Sequence, residues 1–401
     1  MQLRTRREHG FAQAESRLPG VGSQTAYKLL KKTSASAAVQ NVLSYLGPRN
    51  PLPQPVRKDD AVWLLDNTAF QAPGAPPGRW EAEFVACVFQ QHPSCDLVEV
   101  VKQVADVIGL ADDDKAKEAI EQRIMPFIMD IRPGKQVVAS VGGAPPLRLG
   151  PGGRNGVSSD IRTAPNAQGG TAVATRALVP AGVTGLLETK TLYADPEGWG
   201  VISDIDDTIK ITQTSDPIGI LRSTFIDEPA PVAGMPELYK FMHAKLTSAA
   251  PFFYLSASPY NLYPFLREFR DQHYPHGTLV LRDASWMSIP GLLSNLTLGT
   301  EEYKVDRMRK IHDWLPRRKM ICIGDSTQSD PEAYGDIYRA YPGWIRVILI
   351  RKVTDIAAVG IETKNEPERF EKAFKDIPQS AWHVFEDPAE CYQIVQDALS
   401  S

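Results

Sequence analysis

The sequence has few cysteines, no long apolar run and no strong excess of either charge. Its four cysteines form no C-x-x-C pair and are too few for a disulfide framework, so a reduced cytoplasmic setting is expected. No apolar run approaches the roughly 20 residues that span a bilayer, and residues 1–20 lack the apolar core of a secretory signal. The net charge of -4 favours no general binding of nucleic acid. The histidines form no H-E-x-x-H pair, which argues against a zinc site.

The remaining composition is that of a soluble globular protein. The chain has 401 residues, of which 43% are apolar and 23% charged, enough for two or three domains. We divide it into an N-terminal segment with a proline-containing linker (1–58), a β-rich domain with a helical insertion (59–197) and an α/β domain (198–401).

The second of these regions reads mostly as strands. β-branched and aromatic runs occur at 61–65, 80–89, 135–141, 171–178 and 185–193, whereas residues 96–129 have helical spacing. A glycine- and proline-rich loop is expected at 142–156. This pattern predicts a small β-sandwich, and none of its residues carries a chemical signature.

From Gly198 onward, strands alternate with helices, which predicts a doubly wound parallel sheet. The predicted strands are 200–203, 252–255, 278–281, 320–323, 347–350 and 382–385. The predicted helices are 236–248, 263–273, 301–315 and 388–399.

Three carboxylates follow the first of these strands. Asp204, Asp206 and Asp207 come directly after a β-branched run, and α/β sheets place ligands at the carboxyl ends of their strands. Because positions i and i+2 of a strand project to the same side, Asp204 and Asp206 can face one substrate atom. Asp207 has no assigned role and is expected to be solvated or to form the turn.

Three later segments carry further polar groups. Ser256 ends an apolar strand, where its hydroxyl can donate to a phosphate or simply satisfy the next turn. Lys304 lies in the first turn of a helix, a position unfavourable for a cation unless an anion is near; a solvated lysine is the alternative. Asp325 and Asp330 flank a strand end and suit a hard cation, or cap the next helix.

Taken in this order, the four segments resemble the haloacid-dehalogenase superfamily. The resemblance implies that Asp204 is the nucleophile and Asp206 the general acid–base, with the Asp206 backbone carbonyl also on a metal. It further implies that Ser256 and Lys304 hold the phosphate. Asp204, Asp325 and Asp330 then complete a Mg²⁺ site, in which Mg²⁺ and Lys304 offset the repulsion between a phosphate ester and a carboxylate.

Longer stretches resemble one branch, the family of the fungal actin-patch-associated, magnesium-dependent phosphatidate phosphatase. They are Ser203–Lys210, Pro236–Tyr239, Ser256–Leu266 and Gly324–Tyr334. The resemblance implies hydrolysis of phosphatidate at a membrane surface, with peripheral membrane contact. A phosphatase for soluble metabolites or phosphoproteins, and a non-catalytic lipid- or protein-binding adaptor, are the alternatives.

A soluble enzyme that acts on a lipid needs some apolar surface near its site. Two segments between the motifs, 217–221 and 285–293, are rich in large apolar residues such as Leu221, Trp286 and Leu292. We expect them to form an apolar rim, with ordinary core packing or a small cap as the alternative.

Overall fold

The computed structural model describes residues 50, 52–76, 78–92, 96–214, 217–247, 249–282, 300–354 and 361–400. Residues 1–49, which include most of the N-terminal segment, and residues 283–299 lie outside these ranges. Among the described helices, none is long and apolar enough to cross a membrane.

The first described region contains ten strands and two helices. The strands are β1 (Gln54–Pro55), β2 (Asp60–Leu64), β3 (Asn67–Phe70), β4 (Trp80–Gln90), β5 (Lys135–Val141), β6 (Leu147–Leu149), β7 (Val157–Ala164), β8 (Ala172–Ala177), β9 (Thr184–Leu186) and β10 (Glu188–Tyr193). The helices are α1 (Leu97–Ile108) and α2 (Asp114–Ile128), each opened by an aspartate, Asp96 or Asp113, whose side chain accepts two backbone N–H groups.

The hydrogen-bonded ladders join these strands into one mixed ten-stranded sheet, and the small β-sandwich stays a prediction. The order of the sheet is β1-β5-β8-β10-β3-β4-β2-β9, with β6 on β5 and β7 on β4. The long strand β4 pairs with β2 and β3 along successive parts of its length and also pairs with β7. The predicted strands are present, whereas the propensity pattern misses β3 and β7, and β6 lies inside the predicted loop.

The second region is an α/β unit around a six-stranded sheet. Its strands are β11 (Gly198–Asp204), β12 (Phe252–Pro259), β13 (Thr278–Arg282), β14 (Arg318–Asp325), β15 (Ile345–Arg351) and β16 (Trp382–Phe385). Its α-helices are α3 (Pro217–Phe225), α4 (Met235–Lys245), α5 (Tyr263–His273), α6 (Thr300–Trp314), α7 (Asp330–Ala340), α8 (Ile361–Lys364), α9 (Pro367–Ala373) and α10 (Cys391–Ser400).

This sheet is parallel throughout, in the order β13-β12-β11-β14-β15-β16. Each predicted strand lies within an observed one, and all four predicted helices are present. Helices α3, α7, α8 and α9 were not predicted. The α/β class and the parallel sheet are therefore confirmed.

Alternate residues of the central strands face two apolar clusters, as strand geometry requires. Val201 packs with α4, α5 and α10, whereas its neighbour Ile202 packs with α6 and α7. The first cluster extends into the β-rich region, where it includes Trp63 and Phe127. The rings of Phe127 on α2 and Phe225 on α3 lie 5.2 Å apart.

Candidate active site

Adjacent strands carry two predicted site residues to the same edge of the parallel sheet. Asp204 ends β11 and Asp325 ends β14, and these strands pair directly, with Ser203 opposite Ile323. Both carboxylates are buried. Gly324 is required here because a Cβ at that position would lie 2.5 Å from the Cβ of Asp330. The glycine thus lets a third carboxylate approach.

Asp330 and Lys304 complete a buried cluster with these two carboxylates. The Lys304 Nζ on α6 lies 2.7 Å from Asp204 Oδ1 and 2.6 Å from Asp330 Oδ1. Asp330 Oδ2 also accepts the backbone N–H of Asp325 at 3.1 Å. Lys304 is fully buried, so the solvated alternative is wrong. The N-cap of α7 is Ser329, and Asp330 is instead the first helical residue.

The cluster has more negative than positive charge. Burial and the neighbouring carboxylates of Asp330, Asp325 and Asp206 raise the pKa of Asp204 well above its usual range, although Lys304 opposes the shift. Burial and Asp330 likewise raise the pKa of Asp325 to about 8. Burial lowers the pKa of Lys304, but Asp204 and Asp330 outweigh it and hold that pKa above its usual value. Full ionisation would set one ammonium against three carboxylates, and the raised pKa values of Asp204 and Asp325 reflect the cost of that state.

The donor set fits a divalent cation. One carboxylate oxygen from each of Asp204, Asp325 and Asp330 lies within 4.8 Å of the others. Oxygen-only sets of this kind suit hard cations such as Mg²⁺. A cation would also relieve the repulsion that raises the carboxyl pKa values. The Asp206 carboxylate is not part of this set.

We expect the free energy of unfolding of the metal-free protein to fall as the pH rises from about 4 to about 8. In this window folded Asp204 and Asp325 hold protons that the unfolded chain has released, so stability decreases with pH and levels off above the folded pKa values. Thermal unfolding in EDTA should give a lower Tm at pH 8 than at pH 5, and MgCl₂ should raise Tm more at pH 8.

The matched variant for this measurement is Asp325→Asn, which should flatten the pH slope in EDTA. A wild-type Tm that rises between pH 5 and pH 8 in EDTA and does not change with MgCl₂ would contradict this charge distribution.

Asp206 occupies a separate hydrogen-bonding environment beside the cluster. Its Oδ2 accepts the Ser256 hydroxyl at 2.6 Å and the Ser258 hydroxyl at 3.4 Å, and its Oδ1 accepts the Thr212 hydroxyl at 2.9 Å. Ser256 Oγ also accepts the Ser258 backbone N–H at 3.0 Å. Ser256 therefore accepts a backbone N–H of the next turn, which is the structural alternative given above. It also donates to the predicted catalytic carboxylate of Asp206.

Asp207 is buried, so the expectation of a solvated carboxylate is wrong. With a φ of 58°, it turns its carboxylate toward the following loop. It accepts the backbone N–H groups of Thr212, Gln213 and Thr214 at 2.8, 2.8 and 2.7 Å, and the Thr214 hydroxyl at 2.6 Å. The turn-forming alternative is thus confirmed: Asp207 fixes the loop that supplies Thr212 to Asp206.

Sequence reasoning assigned no role to two hydroxyls at the carboxylate cluster. Thr208 Oγ1 lies 3.2 Å from Asp204 Oδ2 and 3.4 Å from Asp325 Oδ2. Thr327 donates both its backbone N–H and its hydroxyl to Asp325 Oδ1. The available signal was their proximity in the chain, since Thr208 follows the acidic cluster at once and Thr327 follows Asp325 after one residue.

The predicted apolar rim is only partly open to comparison. Trp286, Leu292 and the rest of 285–293 lie outside the described residues. In the other segment, Ile220 and Leu221 are buried in the core while Ile218 is 47% exposed. The expectation that 217–221 as a whole forms a rim is therefore wrong, because the helix turns Ile220 and Leu221 toward the core.

The parallel α/β unit thus carries a buried carboxylate–lysine cluster at its strand ends, the place where α/β sheets bind ligands. Residues 199–352 match the family model described as the catalytic domain of phosphatidate phosphatase APP1. The resemblance to that family, predicted from the motifs, is confirmed for this segment, which is less than half of the chain.

Two relatives share this part of the chain. Phosphatidate phosphatase APP1 of Saccharomyces cerevisiae is 32% identical over 181 residues, which are 43% of this chain and 30% of that protein. An uncharacterized protein of Schizosaccharomyces pombe is 26% identical over 161 residues, 40% of this chain and 26% of its own length. The chain thus covers less than a third of either relative.

Proposed function

We propose that this chain is a magnesium-dependent phosphatidate phosphatase of the haloacid-dehalogenase type, which hydrolyses phosphatidate to diacylglycerol and phosphate through an aspartyl-phosphate intermediate. The observation that carries the proposal is Asp204. It is a buried carboxylate at the carboxyl end of a central parallel strand, 2.7 Å from Lys304, within the segment that matches the APP1 catalytic domain.

In the proposed reaction, a carboxylate oxygen of Asp204 attacks phosphorus, and the bond to the diacylglycerol oxygen breaks. Asp206 gives its proton to that oxygen as it leaves. The acyl phosphate formed on Asp204 splits hydrolysis into two displacements. Asp206 then takes a proton from water as the water oxygen attacks phosphorus, which releases phosphate and restores Asp204. The Ser256 hydroxyl donates to Asp206 at 2.6 Å and would rotate to donate to a phosphate oxygen when substrate binds.

Lys304 holds Asp204 in place and supplies positive charge to the phosphate oxygens. Asp204, Asp325, Asp330 and the Asp206 carbonyl would hold Mg²⁺, which when bound neutralises charge on the phosphate. Substrate presented from a bilayer implies peripheral membrane contact by a cytoplasmic protein.

Phosphate release by the purified chain tests the proposal. We expect release from dioleoyl phosphatidate in Triton X-100 micelles with MgCl₂, little release in EDTA, and weaker activity on p-nitrophenyl phosphate. Activity confined to the water-soluble ester would favour the soluble-substrate alternative. Binding to phosphatidate vesicles without any phosphate release would favour the adaptor.

A further inference from the structure

The segment that follows Ser256 is tied to the β-rich region as well as to its own domain. Strand β12 ends at Pro259, and a short 3-10 turn at Tyr260–Leu262 leads into α5. The Tyr260 hydroxyl donates to the backbone carbonyl of Asn155 at 2.6 Å. The Asn261 side-chain amide donates to the carbonyl of Pro126 at 2.8 Å. Both side chains are buried.

Helix α5 extends the same attachment through Asp66. The Tyr263 hydroxyl accepts the Asp66 backbone N–H at 2.6 Å, and Arg270 Nη2 lies 2.8 Å from Asp66 Oδ2, with both side chains about 1% exposed. Asp66 Oδ1 is fixed in turn by the Thr189 hydroxyl and the Lys190 N–H, at 2.5 and 2.9 Å. Charge-assisted hydrogen bonds in a buried setting are strong and directional.

Packing supports these polar contacts at the turn itself. The rings of Tyr260 and Phe89 on β4 stack with centroids 5.9 Å apart and an interplanar angle of 28°. The contacts of Tyr260 and Asn261 therefore lie on three parts of the β-rich region: β4, α2 and the loop before β7. All of these precede residue 199, where the match to the catalytic-domain family begins.

We propose that Tyr260 and Asn261 are positioning residues, through which the β-rich region fixes the Ser256–Ser258 loop against Asp206. Only Pro259 separates Ser258 from Tyr260. The Ser258 N–H and hydroxyl contact Ser256 Oγ and Asp206 Oδ2, at 3.0 and 3.4 Å. The inference rests on the proposed function, in which Ser256 binds phosphate and Asp206 is the acid–base group that the loop's hydroxyls contact.

The expected consequence falls on the chemical step. A shift of about 1 Å in a group that contacts the reacting atoms can cost around 10²-fold in rate. Loosening the turn should move Ser256 without removing any group that binds substrate. A loss of kcat with little change in KM is the signature that separates positioning from lost binding.

The test uses Tyr260→Phe, which keeps the ring stack on Phe89 and removes only the hydroxyl. Tyr254→Phe is the matched control, because the buried Tyr254 hydroxyl donates to the Pro275 carbonyl at 2.8 Å from the same strand but stays within the α/β region. We expect Tyr260→Phe to lower kcat on phosphatidate about tenfold with KM within about twofold. Tyr254→Phe should keep kcat within about twofold at a comparable loss of Tm. Asn261→Ala should reproduce the kcat effect.

Hydrogen exchange of the peptide 256–262 measures how firmly this loop is held, without relying on enzymatic activity. Faster exchange in Tyr260→Phe than in Tyr254→Phe supports the attachment. Equal exchange, or equal kcat for the two variants, overturns it. If the wild-type protein releases no phosphate, the proposed function fails, and the exchange comparison still decides whether the β-rich region holds this loop.

Discussion

Replacing Asp204 with asparagine is expected to lower magnesium-dependent phosphate release by at least about 10⁴-fold, as loss of a nucleophile does in enzymes whose groups act as a unit. The amide cannot form the acyl phosphate that divides hydrolysis into two displacements. Its shape matches the carboxylate, so the Lys304 contact at 2.7 Å and the Thr208 contact at 3.2 Å need not move far. The measurement is phosphate release from phosphatidate micelles with MgCl₂.

Asp204→Asn also provides a control for unfolding, because we expect it to lower activity but to raise stability. Neighbouring carboxylates and burial raise the pKa of Asp204, so the charged form is unfavourable in the metal-free protein. Asparagine removes that charge, and Tm in EDTA at pH 8 should rise. A variant that has lost activity because it has unfolded would show a lower Tm instead. Undiminished turnover would remove Asp204 as the nucleophile.

Replacing Lys304 with methionine is expected to reduce both activity and stability. The lysine is the cation that lies within salt-bridge distance of both Asp204 and Asp330. Removing one partner from a buried ion pair costs about 3–5 kcal/mol because a buried charge is left uncompensated. Loss of one preorganised positive group at the reacting phosphate should slow release by about 10²–10³-fold or more.

Lys310→Met is the matched control for this change. Lys310 also lies on α6 and also pairs with a carboxylate, that of Glu83, and the charge of Lys310 helps to lower the pKa of Glu83. Lys310 lies outside the carboxylate cluster, so the substitution should leave phosphate release nearly unchanged. Urea unfolding at pH 8 in EDTA and phosphate release with MgCl₂ compare the two variants. Equal activity losses would show that Lys304 acts through helix stability alone.

The sequence predicts the parallel sheet well because each strand is a short apolar run that ends in a polar or turn-forming residue. The segments around β11 and β14 show this most clearly, since Asp204 and Asp325 mark the strand ends directly. Lys304 lies on α6, and only the family resemblance placed it at the site. The approach of Asp204 and Asp325 was predictable from the sheet itself. Parallel strands bring their carboxyl ends to one edge, whatever the separation along the chain.

Other features depend on contacts that leave no mark in the local sequence. The long strand β4 pairs with three partners, and no propensity specifies which partners a strand will take. Asp207 looks like a solvated acid until the three N–H groups of the next loop are seen around it. Tyr260 and Asn261 donate to backbone carbonyls. Because every residue has a backbone carbonyl, the sequence does not indicate which one will accept such a bond.

The apolar cluster shared by the two regions shows that the segment matched by the family and the unit that folds together differ in extent. As a unit of inheritance, the segment similar to the APP1 catalytic domain spans residues 199–352. As a unit of folding, it is larger, since Trp63, Phe89 and Phe127 belong to the same continuous core as Val201 and Phe225. Burial of one contiguous core is what makes a chain fold cooperatively. The segment that the family match delimits therefore shares part of its apolar interior with a region that the match does not cover.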